Sequence, residues 1–238
     1  MTEYRDALYD PRKTPSDELR ADWEKLIEAQ RKIPSNDRDI DEIASEYGLT
    51  LSQFFGIIKD KAVLDAGAGN SSLKWDAASL HLDSEIISLD MDKLELQMKP
   101  GANVAGKLEQ LPFRDESFDV VLATYSLPLW AKSTHQAKAF LDESLRVLKP
   151  DGKLMVAPLI STMARPAIHP TEGVIEHPIF DYPFEMNPRI QNALRDIEIG
   201  TMDWLIALRD DERYDIQLGV IPEDLTSELP QSVTVTKR

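Results

Sequence analysis

The sequence predicts an α/β fold: a doubly wound, mostly parallel sheet with helices on both faces. Two observations predict it. Between residues 61 and 160, short apolar runs (KAVLDA, EIISLD, NVAG, FDVVLAT and GKLMVAPLI) alternate with amphipathic or turn-rich segments of helix length. Consecutive rather than alternating apolar residues suit strands covered on both faces, and helix-length connections suit parallel neighbours. The second observation is VLDAGAGNSSL, Val63–Leu73, where a buried strand ends in an acid, a Gly-x-Gly turn follows and a helix starts near Asn70. Residues 1–60 read as an N-terminal helical extension and 61–160 as the core. Residues 161–238 read as a proline-rich insertion, then helices and strands that complete the sheet.

Ser16 or Asp17 caps a first helix carrying Leu19, Trp23, Leu26 and Ile27, spaced at about 3.6 residues, and Pro34-Ser35-Asn36 breaks it. A second helix runs through Ile40, Ile43 and Ala44 to Gly48, and Thr50 caps a third. The pattern IASEYGLTLSQFF superficially resembles a helix-turn-helix, but a two-helix hairpin on a sheet has the same pattern. Asp41, Glu42 and Glu46 weigh against DNA contact. In the core, Ser133–Leu148 is the clearest helix, with Ser133 and Gln136 matching a capping box and Ala137, Phe140, Leu141, Leu145 and Leu148 as its buried stripe. Lys149-Pro150-Asp151-Gly152 turns the chain into the next strand. Residues 158–188 hold six of the fifteen prolines, which excludes a helix or a central strand there. Helices at Ile190–Asp196 and Met202–Arg209 follow, then strands Tyr214–Ile221 and Ser232–Lys237.

Composition narrows the function. Apolar residues make up 42% of the 238, enough for a substantial core, and no window approaches the ~18–20 apolar residues of a membrane span. The N-terminal stretch is charged and has no signal-like apolar run, so the expected compartment is the cytoplasm. The chain has no cysteine, which excludes disulfides, thiolate metal sites and a cysteine nucleophile. Residues 1–60 have 9 bases against 14 acids, 61–160 have 11 against 14, and 161–238 have 7 against 14. No segment has the basic footprint of a nucleic-acid binder, so a polyanionic partner is disfavoured.

The chemistry concentrates at strand ends. Gly67 and Gly69 permit a tight turn and close backbone approach to a ligand, and the following helix start adds unpaired N–H groups. A dinucleotide site has the same architecture, but Asp65 would repel a pyrophosphate there, and Ser72 stands where the third fingerprint glycine belongs. Asp90 ends the next strand 21 residues beyond Gly69, a spacing that suits an acid accepting from both ribose hydroxyls. An ordinary helix N-cap would also place an Asp at that point.

Asp65-Ala66-Gly67-Ala68-Gly69, Asp90, LEQLPFRDESFDVVLA (Leu108–Ala123) and ESLRVLKPDGKLMV (Glu143–Val156) together resemble the class I S-adenosylmethionine-dependent methyltransferases, in their order and spacing. The resemblance covers roughly residues 60–160 and implies a seven-stranded sheet with S-adenosyl-L-methionine as cofactor. It implies that Gly67, Ala68 and Gly69 pass beneath the methionine part, that Asp65 helps hold its ammonium, and that Asp90 binds the ribose with Met91 against the adenine. Lys107 stands where the family commonly has the acid that receives the adenine amino group. Glu109 or the backbone at Leu108 then takes that contact, or the adenine pocket is weaker. Leu111-Pro112-Phe113 fixes the loop and packs.

After the fourth strand, Thr124-Tyr125-Ser126-Leu127-Pro128-Leu129-Trp130 would face the sulfonium methyl, with Thr124 beside the cofactor and Tyr125 orienting an acceptor. The Asn/Asp-Pro-Pro-aromatic signature of nucleic-acid amino-methylating enzymes is absent, so a small-molecule acceptor is expected and a protein side chain stays open. His169 and His177 are general-base candidates within Ser161–Pro188, a segment expected to form a lid over the acceptor; no metal is called for. The alternative is a protein of this fold that binds the cofactor without methylating. Oligomeric state is not legible.

Overall fold

A computed structural model of the chain describes residues 39–69, 71–97, 99, 101–127, 131–157, 159, 166–169, 173–176, 188–219 and 232–238, with 17, 18 and 21. The elements begin with α1 (Ile40–Glu46), α2 (Leu51–Ile58), β1 (Ala62–Ala66), α3 (Leu73–Ser79), β2 (Glu85–Asp90), α4 (Lys93–Gln97) and β3 (Asn103–Ala105). There follow β4 (Phe118–Thr124), α5 (Thr134–Val147), β5 (Leu148–Ala157), β6 (Pro166–His169), β7 (Gly173–Glu176), α6 (Pro188–Arg209), β8 (Tyr214–Gly219) and β9 (Ser232–Lys237).

The main sheet has seven strands in the order β3-β2-β1-β4-β5-β9-β8. The first five run parallel, and β9 pairs antiparallel with both β5 and β8. Two cores sandwich it. Side chains alternate across a strand, so Leu64, Ala66, Val121 and Ala123 join Phe140, Leu145, Ile197 and Trp204 on the α5–α6 side. Val63, Val120, Leu122 and Met155 join Ile43, Phe54, Ile58 and Leu73 on the opposite side, beneath α1, α2 and α3. The doubly wound, mostly parallel sheet of the sequence reading is therefore present.

Residues 39–58 form the expected hairpin. Asp39 accepts from the Glu42 N–H, and Thr50 and Gln53 make a reciprocal capping box. The hairpin packs on the sheet rather than presenting a helix to solvent: Tyr47 Oη lies 2.8 Å from Thr124 Oγ1 and 3.3 Å from the Met155 carbonyl.

Several local expectations change. Helix α3 starts at Leu73, after an Ala68–Ser71 turn. Two short C-terminal helices are one, Pro188–Arg209, because Gly200 is tolerated where Thr134 crowds it. Lys149–Gly152 belongs to β5, as the irregularity where its register against β4 shifts. Ser133 caps α5 as expected, but the Gln136 side chain accepts from Lys132 N–H instead of closing the box. Within the proline-rich insertion, β6 and β7 form a separate antiparallel pair with Pro166 at a strand start. His177 and most of the expected lid lie outside the described residues, as does most of the first helix; His169 ends β6.

Candidate active site

The carboxyl ends of β1, β2 and β4 meet at one edge of the sheet, where ligands bind in open α/β folds. The loop after β1 is stitched to its neighbour: the Gly67 and Ala68 N–H groups both donate to the Leu89 carbonyl, at 2.8 and 3.0 Å. Gly67 has φ +74°, and a Cβ there would come within 2.5 Å of Ser126 Cβ. Only glycine lets the β1 loop and the β4 loop approach this closely.

Asp90 organises the edge. Its Oδ2 accepts from the Gly69 N–H at 2.9 Å and its Oδ1 from the Asp92 N–H at 2.8 Å. Its own carbonyl accepts from the Gly106 N–H. One residue thereby ties together the loops after β1, β2 and β3. The Asp92 contact is the turn-capping role expected of an Asp, and it coexists with a carboxylate in the cleft wall.

A cleft opens at this edge, lined by Gly67, Asp90, Met91, Leu108, Glu109, Ser126, Leu127, Ala131, Gln136 and Phe140. Five of the sequence-predicted cofactor residues thus converge: Gly67, Asp90, Met91, Leu108 and Glu109. Met91 is 50% exposed, an unusual position for so apolar a side chain and one that offers a face to a ring. Lys107 is exposed and pairs through its backbone with Gln110, leaving Leu108 and Glu109 on the cleft wall.

Asp65, Ala68, Gly69 and Thr124 do not line the cleft; Asp65, Ala68 and Thr124 are buried and Gly69 is half-buried. Asp65 is buried on β1 and its charge acts on Tyr47 and Lys74. Burial pushes the Tyr47 phenol far above the ordinary tyrosine range, so it stays protonated beside Thr124. Tyr125 takes a left-handed backbone, φ +56°, immediately after β4, and its hydroxyl donates in a short bond to Glu46 of α1. Non-glycine residues in that conformation concentrate at functional sites.

Gln136 and Phe140 of α5 were read from the sequence only as a cap and a core position. Their helical spacing reports a buried face but not the end of the sheet it reaches. Ser126 is the more telling addition. It is fully buried, lines the cleft, and its Oγ has no hydrogen-bond partner among the described residues. Leu111 is buried and Phe113 packs half-buried against the core, while Pro112 is exposed; the loop is clamped by α5. The Leu111 N–H donates to Glu143 at 2.8 Å, and Arg146 donates to the Leu111 and Phe113 carbonyls and to Asp115.

Residues 64–156 match a family model described as a methyltransferase domain. The chain is 34% identical over 140 residues to a demethylmenaquinone methyltransferase of Renibacterium salmoninarum, covering 58% of this chain and 54% of that protein. It is 32% identical over 108 residues to a sterol 4-C-methyltransferase of Caenorhabditis elegans, covering 42% and 31%. The chain therefore spans about half, or less, of the curated relatives it matches. Across nearly its whole length it shares the fold of a Haemonchus contortus phosphoethanolamine N-methyltransferase solved with phosphoethanolamine and S-adenosylhomocysteine. The TM-score is 0.54 at 14% identity, over 97% of this chain and 51% of that one. Among the described residues, no helix is long and apolar enough to cross a membrane, and no cluster of His, Asp and Glu could hold a metal.

Proposed function

We propose that this chain transfers a methyl group from S-adenosyl-L-methionine to a small-molecule acceptor. One observation carries the reading: Gly67, Asp90, Met91, Leu108 and Glu109, from three separate strand ends, share a single cleft inside residues 64–156, the segment that matches the methyltransferase model. The buried Ser126 hydroxyl supports the fit, since a polar group lining a cleft with no partner among the described residues suits a bound polar ligand.

Asp90 would accept from the ribose hydroxyls, Met91 would cover the adenine, and Leu108 and Glu109 would take its amino edge. Gly67, Ala68 and Gly69, with Asp65 and Thr124, would hold the amino-acid end. When bound, the cofactor supplies a methyl on positively charged sulfur, open to in-line attack. The chain's task is then to align the acceptor and exclude water. Tyr125, held by Glu46 and next in sequence to the cleft residue Ser126, would orient the acceptor. Carboxylates at Asp90 and Glu109 suit a cationic cofactor and disfavour an anionic acceptor close by. The curated relatives are named for a quinone and a sterol, which supports a small molecule over a macromolecule.

The test is mass spectrometry of small-molecule extracts incubated with the chain and methyl-deuterated S-adenosylmethionine. A labelled product that requires the chain, and falls with Asp90→Ala, is expected. S-adenosylhomocysteine binding without a labelled product in any extract would instead favour a cofactor-binding protein that does not methylate.

A further inference from the structure

The loop after β1 is held from a second direction. Lys99, in the connection between α4 and β3, sends its ammonium to two loop carbonyls: to Ser71 in a short bond and to Ala68 at 3.5 Å. The corner that delivers it is itself braced. Asn103 Nδ2 donates to the Leu96 and Lys99 carbonyls, at 2.9 and 2.8 Å. Lys74 Nζ donates to the Ala102 carbonyl at 2.6 Å and to Asn103 Oδ1 at 3.2 Å. Burial, and then the Lys99 charge, lowers the Lys74 pKa. The Asp65 charge opposes that shift.

A trans peptide is planar and carries its C=O and N–H on opposite edges. The Ala68 carbonyl and the Gly69 N–H belong to the same peptide. Lys99 holds the carbonyl edge, and the N–H edge donates to Asp90 Oδ2 at 2.9 Å. We infer that Lys99 is a positioning residue of the cofactor site: by fixing the Ala68–Gly69 peptide it sets the orientation of the Asp90 carboxylate, and acts on the bound nucleoside through it. This rests on the function proposed above. Lysine suits the position because one ammonium has three donors for two carbonyls that face different ways.

The experiment uses the full chain and S-adenosylhomocysteine as probe, with calorimetry on wild type, Lys99→Met, Lys99→Arg, Asp90→Ala and the Asp90→Ala/Lys99→Met double variant. Lys99→Met is expected to weaken binding about tenfold and Lys99→Arg to restore most of it. If Lys99 acts through Asp90, the double variant binds no more weakly than Asp90→Ala alone. A purely structural brace gives additive losses, and additive losses overturn the inference. So does a Lys99→Met variant with wild-type affinity. Amide exchange in the ligand-free chain is the independent readout: the Gly69 N–H should exchange faster in Lys99→Met and at the wild-type rate in Lys99→Arg. A wild-type chain that binds no S-adenosylhomocysteine overturns the cofactor reading alone. The Gly69 exchange then still decides whether Lys99 holds this peptide, and an unchanged rate overturns that too.

Discussion

Ser126 separates the needs of the fold from those of the site. The Ser126 hydroxyl is buried with no partner among the described residues, and an unsatisfied buried hydroxyl costs about 1–3 kcal/mol, so Ser126→Ala is expected to leave the ligand-free melting temperature unchanged or raised. The same substitution is expected to weaken S-adenosylhomocysteine binding, because a bound ligand in the cleft would pair with this hydroxyl. A lowered melting temperature with unchanged affinity would make Ser126 structural. Asp90→Ala removes a charged acceptor and is expected to weaken binding by about 2–3 kcal/mol by calorimetry. The fold should survive, checked by thermal melting, because Asp90 sits at a strand end. Asp90 was legible in the sequence because its spacing from the glycine loop fits an acid facing a ribose. Its bonds to Gly69 and Asp92 were not, since they depend on where the turns bring N–H groups. Lys107 was legible as a departure from the family; that it points outward and leaves Leu108 and Glu109 in the cleft needed the fold.

Helices α5 and α6 meet where Gly200 faces Thr134. A Cβ at Gly200 would lie 2.0 Å from Thr134 Cγ2, while Trp204 Nε1 donates to Asp142 at 3.0 Å and fixes the same interface. Glycine costs about 1 kcal/mol inside a helix, so on propensity alone Gly200→Ala would stabilise. Crowding of about 1–3 kcal/mol opposes it, and the net expectation is a lower melting temperature. Adding Thr134→Ala removes the crowding atoms and should recover stability; a Gly200→Ala chain that melts higher than wild type would contradict this packing. Gly200 lies in the gap between the two helices expected at 190–196 and 202–209. Glycine in a helical pattern marks a break by propensity, and only the neighbouring helix reveals why it is retained. Conversely, the stripe of α5 was legible position by position, because 3.6-residue spacing is a local signal. That Gln136 and Phe140 reach the cleft depends on which end of the sheet α5 crosses.

The five parallel strands were legible from consecutive apolar residues, whereas the insertion of β9 between β5 and β8 was not, because antiparallel pairing order at a sheet edge leaves no local pattern. Ion pairs across the molecule give it a pH signature. Arg146 holds the Glu143 carboxyl below the ordinary range, helped by the Leu111 N–H against the opposing effect of burial. Burial pushes Asp119 up, but the Ala62 N–H and Lys149 outweigh it and leave its carboxyl low. Groups whose folded pKa is depressed stabilise the fold above their unfolded pKa, and that stability is lost as the pH falls through the folded value. Stability should therefore be flat near neutrality and fall once the pH drops below about 4. Glu143→Gln should lower the neutral melting temperature and shrink the acid loss; an acid loss of wild-type size would remove Glu143 from this account. All of these elements position one cleft, and what binds there is the central claim. Calorimetry of the intact chain tests it most directly: saturable binding of S-adenosylhomocysteine in the micromolar range with no response to NAD is predicted, whereas saturable NAD binding with no response to S-adenosylhomocysteine would contradict it.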